Sequence, residues 1–197
     1  MSRWPDDARE RLESAAFELF ATQGYDETTV AQIAERAGLN RATFFRHFAD
    51  KREVVFGGED LVSETLTDGI RLAAPGSSVI ARLESAFINA DSVLTAEQRV
   101  KSTQRVAALA TSVEVQERGL LKRSRMNASL RQAFVAAGFD DVDARLGAEI
   151  GMLTFSLTME RWLRDDSHHR GFSEIAVATL RELEERVPML RDSRAAP

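Results

Sequence analysis

The sequence has no cysteine, only four prolines, and no long apolar run free of charge among its 197 residues. Without cysteine the chain can form no disulfide, thiolate nucleophile or cysteine-bound metal centre of its own. The most apolar stretch, residues 146–163, contains Glu149, Glu160 and Arg161, and such charges are costly at the centre of a bilayer. A membrane-spanning helix and most thiol chemistry are therefore not expected.

The chain also lacks an excess of positive charge, with a formal net charge of -5 at pH 7. A surface that binds polyanions everywhere is therefore not expected, and a nucleic-acid site would have to be local. Hydrophobic residues make up 44% of the chain, which is enough for a globular core. The charged first 14 residues lack the apolar segment of a signal peptide, so we expect a cytoplasmic protein.

The spacing of the apolar residues is three and four rather than two, which predicts an all-α protein of about nine helices. Thr29 with Gln32 and Asp50 with Glu53 are capping-box pairs, and Asn40 is the N-cap of a helix between them. The predicted helices cover about residues 7–22, 30–37, 41–47, from 51, after 78, after 95, 113–137, 141–164 and 173–187.

Two adjacent glycines, Gly57 and Gly58, interrupt the fourth helix, and longer helices follow them. Each glycine costs a helix about 1 kcal/mol relative to alanine. We therefore expect a domain junction there, with an N-terminal domain over residues 1–56 and a helical C-terminal domain over residues 57–197.

Residues 30–49, VAQIAERAGLNRATFFRHFA, satisfy the helix-turn-helix pattern. Ala34 is small where two helices cross, and Gly38 permits the tight turn between them. The inward-facing apolar positions are Ile33, Ala37, Leu39 and Phe44. The segment from residue 36 to residue 52 carries five basic residues and one acidic residue, about +4 in a chain that is negative overall. This coincidence of motif and charge predicts DNA binding.

The segment GYDETTVAQIAERAGLNRATFFRHFADKREVV closely resembles the DNA-binding module of TetR-family transcriptional regulators. The resemblance covers about residues 8–56 and rests on the Ala-Gly-aliphatic turn and the aromatic-x-His-Phe-x-x-Lys ending. It implies a homodimer, mostly a repressor, that binds a palindromic double-stranded DNA operator. It also implies a pocket for a small-molecule effector in the C-terminal helices.

The resemblance implies eight DNA-binding residues: Thr29, Asn40, Arg41, Thr43, Phe45, Arg46, His47 and Lys51. Thr29 and Lys51 match positions that meet phosphates. Arg41 and Thr43 match recognition-helix positions that face base edges. Phe45 departs from the family, which usually has tyrosine there, and phenylalanine offers only apolar contact, for example with a thymine methyl group.

Two faces of the helix over residues 141–164 suggest further sites. Its Met and aromatic face, with two phenylalanines from other helices, is a candidate lining for a partly apolar effector: Phe87, Phe134, Met152, Phe155, Met159 and Trp162. Such a stripe is also typical of plain core. The second face carries leucines, and Gly147 and Gly151, one turn apart, would permit close helix approach. The last helix has a similar apolar seam with Leu183 and Val187. The resemblance implies a four-helix bundle between two chains, so the predicted dimer interface comprises Gly147, Gly151, Leu183 and Val187.

The leading hypothesis is a ligand-responsive transcriptional regulator without a cofactor. An architectural or adaptor protein that binds DNA without a ligand is the alternative. An all-helical enzyme is a remote alternative, because no phosphate-binding glycine loop or histidine pair with helical ligand spacing occurs. His168 and His169 adjoin two aspartates, but this polar string between helices is typical of a solvated loop, and no metal site is expected.

Overall fold

The computed structural model describes residues 5–56, 59–109, 112–164 and 170–189. These residues form ten helical segments and no strand: α1 (Pro5–Gln23), α2 (Val30–Arg36), α3 (Arg41–His47), α4 (Lys51–Phe56), α5 (Glu59–Leu72), α6 (Val79–Ala90), α7 (Ala96–Leu109), α8 (Val113–Ala136), α9 (Asp141–Arg164) and α10 (Phe172–Met189). The all-α expectation is confirmed. Gly57 and Gly58, which separate α4 from α5, lie outside the described residues, as do His168 and His169.

Contacts within the chain divide it into two compact units. Unit 1 comprises Met1–Glu59 and Val100–Arg123, and unit 2 comprises Asp60–Arg99 and Ser124–Pro197. The first division between the units falls after Glu59. The segment 100–123 groups with the N-terminal residues and not with the helices on either side of it.

The core of unit 1 forms around the apolar face of α1. Its buried members come from all four N-terminal helices, from the connections after α1 and after α3, and from α8: Leu12, Phe20, Tyr25, Ile33, Phe44, Phe48, Val55 and Val115. Leu19, also on α1, is half-buried and packs against this core. This core holds α2 and α3 against α1.

Local hydrogen bonds begin and end the short helices of unit 1 as the sequence predicts. Thr29 and Gln32 form both bonds of the capping box at α2. Gly38, at φ +64°, makes the left-handed turn that joins α2 to α3, a conformation that other residues rarely adopt. Leu39 then donates its N–H to the carbonyl of Ala34 at 2.8 Å. Because these bonds lie within a few residues of each other, local sequence was enough to predict them.

The core of unit 2 joins α6, α9 and α10 with the second half of α8. Glycine permits the closest helix approach: a Cβ at Gly69 of α5 would lie 2.9 Å from the backbone nitrogen of Ala86 in α6. None of the helices in the described ranges combines the length and the apolar character that a membrane crossing requires.

Candidate nucleic-acid interface

The recognition helix α3 is held by two buried phenylalanines and presents polar side chains on its other face. Phe44 is 0% exposed and Phe48 is 1% exposed, and their ring centroids lie 5.5 Å apart. Arg41, Phe45 and Arg46 are exposed on the outer side of the same helix. The buried aromatic residues therefore fix the face that α3 offers to solvent.

The N-terminus of α3 is capped by Asn40. The Asn40 Oδ1 atom accepts the backbone N–H of Thr43 at 2.8 Å and the Thr43 hydroxyl at 3.1 Å. Thr43 in turn lies 3.4 Å from a guanidinium nitrogen of Arg46. Three of the predicted DNA-binding residues are thus linked side chain to side chain, and their orientation is set before any partner is bound.

The positive charge near α3 is less uniform than the count of +4 implies. Arg36 is paired with Glu18, and Arg52 is paired with Asp50. No acidic partner is present for Arg41 or Arg46 among the ion pairs of the described residues. The uncompensated charge therefore concentrates on α3 itself, where a phosphate or a base edge would meet it.

The two ion pairs affect the pKa values of their members. Hydrogen bonding to the Glu18 carboxylate, with its Coulombic attraction, raises the pKa of Arg36. Partial burial acts to raise the pKa of Asp50, but hydrogen bonds from Arg52 and from the backbone N–H of Glu53 lower it overall. Asp50 accordingly serves as a charged N-cap of α4, accepting the Glu53 N–H at 3.0 Å.

Lys51 is placed differently from its predicted role as a phosphate ligand. Its ammonium donates to the carbonyl oxygens of Tyr25 at 2.8 Å, Thr28 at 3.0 Å and Asp26 at 3.2 Å. It also lies 4.2 Å from the centroid of the Tyr25 ring. All three ammonium donors are therefore used inside the module, in holding the loop between α1 and α2.

Thr29 is also engaged within the chain. Its backbone N–H and its hydroxyl both donate to Gln32 Oε1, at 2.8 Å and 2.9 Å. A phosphate that used these groups would have to displace the Gln32 side chain. Phe45 is 50% exposed and His47 is half-buried, so both predicted side chains reach the surface beside α3.

Two arginines of α1 support the module and were missed by sequence reasoning. Arg11 donates to the carbonyl of Ala37 at 2.5 Å, at the end of α2, and the Arg9 guanidinium lies 4.8 Å from the centroid of the Phe48 ring. Their positions on a charged helix face gave no signal of these contacts, because both partners are more than 25 residues away in sequence.

The six predicted pocket residues come together in the core of unit 2. Phe87, Phe134, Met152 and Trp162 are buried, whereas Phe155 and Met159 are partly exposed. Phe172 joins this cluster, with its ring 5.5 Å from Trp162 and 5.9 Å from Phe155. Within the described ranges, no group of three or more His, Asp or Glu side chains is placed to hold a metal ion.

The predicted dimer residues Gly147 and Gly151 are buried in unit 2, against side chains of the same chain. A Cβ at Gly147 would lie 2.9 Å from Phe134, and one at Gly151 would lie 2.9 Å from Leu83. The two glycines permit close approach within the chain. Leu183 is half-buried on α10, and the side chain of Val187 lies outside the described part.

Comparison with known proteins agrees with this geometry. Residues 13–56 match the family described as bacterial regulatory proteins, tetR family. The transcriptional regulator TcmR of Streptomyces glaucescens is 38% identical over 79 residues, which are 40% of this chain and 35% of that protein. The first curated relatives are matched over only 24% to 35% of their own length.

Solved structures share the fold over nearly the whole chain. FadR of Thermus thermophilus, a transcriptional repressor in complex with lauroyl-CoA, has a TM-score of 0.52 at 25% identity and covers 96% of this chain and 97% of its own. NalD of Pseudomonas aeruginosa, a repressor of an efflux pump, has a TM-score of 0.61 at 20% identity. The alignment covers 91% of this chain and 96% of NalD. These proteins are regulators, in line with the expectation that the chain is not an enzyme. The match over residues 13–56 and the helix-turn-helix that they form identify this segment as a TetR-family DNA-binding module.

Proposed function

We propose that the chain is a ligand-responsive transcriptional regulator that acts in the cytoplasm, binds a palindromic operator as a homodimer and is released by a small molecule. The observation that carries DNA binding is the outer face of α3, where Arg41 and Arg46 are exposed without an acidic partner among the described ion pairs. An arginine on a recognition helix pairs with the acceptor edge of guanine or with a phosphate.

Dimerisation is supported by the exposed face of α9. Val142 is 74% exposed, Leu146 is 55% exposed and Leu153 is 47% exposed, and their spacing of four and seven places them on one side of the helix. Exposed apolar side chains in one stripe are costly in water and mark an association surface. A second copy of the chain is the occupant proposed for this face, in place of the seam through Gly147 and Gly151.

Effector binding is proposed within the aromatic cluster of unit 2. The Thr158 hydroxyl lies one turn before Trp162 on α9, is fully buried and has no hydrogen-bond partner among the described residues. An unsatisfied buried hydroxyl costs about 1–3 kcal/mol. A ligand with a polar group beside an apolar body would satisfy it, which favours a partly apolar effector.

The test begins with selection of a DNA duplex from a random-sequence pool by the wild-type chain. We expect a palindromic consensus, bound by a dimer, and weaker binding to a scrambled duplex of the same composition. Enrichment of no sequence, with equal affinity for both duplexes, would support the alternative of an architectural DNA-binding protein and contradict operator recognition.

The effector is tested on the selected duplex. Because the Thermus thermophilus repressor binds lauroyl-CoA, that compound is the first probe, with free CoA as the control for its charge. Release of the duplex by lauroyl-CoA alone would assign the effector class. If no compound in a panel of apolar acids, acyl thioesters and drug-like cations changes DNA affinity, the ligand-responsive part of the proposal fails while DNA binding stands.

A further inference from the structure

The loop between α1 and α2 is held from two directions. This loop, residues 24–29, leads directly into Thr29, the N-cap of α2, so its position sets where the helix-turn-helix begins. The ammonium of Lys51, in α4, donates hydrogen bonds to three carbonyl oxygens of the loop. From the other side, the Ser112 hydroxyl donates to the Asp26 carboxylate at 2.8 Å.

Ser112 comes from outside the DNA-binding module, 86 residues along the chain from Asp26. It immediately precedes α8 and is only 4% exposed. Its carbonyl accepts the N–H of Gln116 at 3.1 Å, which ties it to the first turn of α8. The position of the Ser112 hydroxyl relative to Asp26 therefore depends on the position of the N-terminal end of α8.

The first part of α8 is itself anchored on the module. Val115 is fully buried in the core that contains Phe44 and Phe48. About two turns further on, Lys122 donates to the carbonyl of Phe56 at 2.9 Å, at the end of α4. The segment 112–122 therefore contacts the module through Ser112, Val115 and Lys122, and the Ser112 hydroxyl meets the α1–α2 loop.

We propose that Ser112 is a positioning residue for DNA binding, which acts through Asp26 on the α1–α2 loop and makes no DNA contact itself. The inference rests on the proposed DNA-binding function. A hydrogen bond to a carboxylate is stronger than one between neutral groups. Without it the loop keeps its bonds to Lys51 and Gln23 but loses its bond to the segment before α8. Part of its order then has to be gained when DNA binds, which lowers affinity.

The central experiment compares Ser112→Thr with Ser112→Val. The two side chains have the same branched shape, and only threonine keeps the hydroxyl. With the duplex selected by the wild-type chain, we expect Ser112→Val to raise Kd about three- to tenfold, because a hydrogen bond to a charged group is lost, and Ser112→Thr to stay within about twofold. Equal Kd values for the two variants would overturn the proposal.

A double-mutant cycle tests whether Asp26 carries the effect. In the Asp26→Ala background, Ser112→Val should cause no further change in Kd, because the interaction is already absent. The cycle also removes the separate effect of taking a negative charge away from the loop. A full additional loss in that background would show that Ser112 acts on another group and would overturn the role of Asp26.

Hydrogen exchange without DNA separates this inference from the proposed function. Ser112→Val should speed amide exchange across residues 24–29 while the thermal midpoint shows that the variant is folded, and Ser112→Thr should not. If exchange in the loop is unchanged, the positioning role fails even if DNA binding is real. If the wild-type chain selects no duplex but the loop loses protection, the proposed function fails and the structural coupling of Ser112 to the loop stands.

Discussion

At the scale of single residues, similar cationic side chains have different roles because their surroundings differ. Arg41 projects from α3 without an acidic partner among the described ion pairs, whereas Lys51 has its ammonium against three carbonyl oxygens. Charge counting treats them alike. The contacts place the Lys51 ammonium within the module, whereas the Arg41 guanidinium stays a predicted DNA contact.

We expect Arg41→Ala to weaken binding to the selected duplex by about 1–3 kcal/mol and to relax preference at one base position per half-site. The reason is loss of a guanidinium that faces base edges. Affinities for the selected duplex and for random DNA, measured at the same salt concentration, check this. An equal loss on both would reassign Arg41 to a phosphate.

We expect Lys51→Met to lower the free energy of unfolding by about 1–3 kcal/mol, since three carbonyl oxygens, two of them in partly buried hydrogen bonds, lose their donor. The dependence of DNA affinity on salt concentration should change little, because the ammonium binds carbonyl oxygens of the module and not a DNA phosphate. Urea unfolding and a salt titration measure the two effects. A slope shallower by about one per subunit would instead restore the phosphate role.

Asp50 gives a pH-dependent prediction. Its pKa is lowered in the folded chain, so its stabilising effect is present above the ordinary aspartate pKa of about 3.9 and is lost as the pH falls through the lowered native value. Asp50→Ala should cost about 0.5–2 kcal/mol at pH 7 and much less in strong acid. Asp50→Asn, which keeps a capping oxygen, is the control. A cost for Asp50→Ala that does not vary with pH would contradict this account.

At the scale of helices, the glycines differ in what lies opposite them. A Cβ at Gly69 would overlap the backbone of Ala86, which cannot move without shifting α6. A Cβ at Gly151 would meet a methyl group at the end of the Leu83 side chain, which can rotate. The same residue type is therefore required at one helix contact and tolerant of change at the other.

We expect Gly69→Ala to lower the free energy of unfolding by about 1–3 kcal/mol or more, through overpacking against backbone. Gly151→Ala should change it by about 1 kcal/mol or less in either direction, because alanine's helix propensity offsets the side-chain shift. Chemical denaturation of both variants measures the two changes in the free energy of unfolding. Equal costs would show that α5 and α6 can separate more easily than their contact implies.

At the scale of the whole molecule, the exposed apolar stripe on α9 bears on whether two chains associate. The stripe of Val142, Leu146 and Leu153 on α9 is apolar and exposed, while the glycines beside it face the interior. A palindromic operator requires two recognition helices at a defined separation, so this stripe and α3 are linked through the proposed dimer.

We expect Leu153→Glu to convert the proposed dimer to a monomer in sedimentation and to weaken binding to the full palindrome much more than to a half-site. A charge placed in an apolar interface is left without water or a partner. Ile88→Glu is the matched control, since Ile88 is also exposed, at 61%, but lies on α6. A Leu153→Glu variant that stays dimeric would move the interface to another face.

The sequence alone determined the helices, their caps and the helix-turn-helix. Thr29 with Gln32, Asn40 and Gly38 act within a few residues of their own position, so local spacing was sufficient to predict them. The core positions of α2 and α3 followed for the same reason, because helical periodicity alone determines which side chains share a face.

Only the tertiary structure decided which face meets which neighbour. Gly147 and Gly151 proved to adjoin residues of other helices in the same chain, and segment 100–123 proved to belong to the N-terminal unit. Ser112 and Lys51 bind one loop although 61 residues separate them in sequence. Such contacts depend on packing between distant segments, and neither residue type nor spacing along the chain encodes the partner that folding brings opposite.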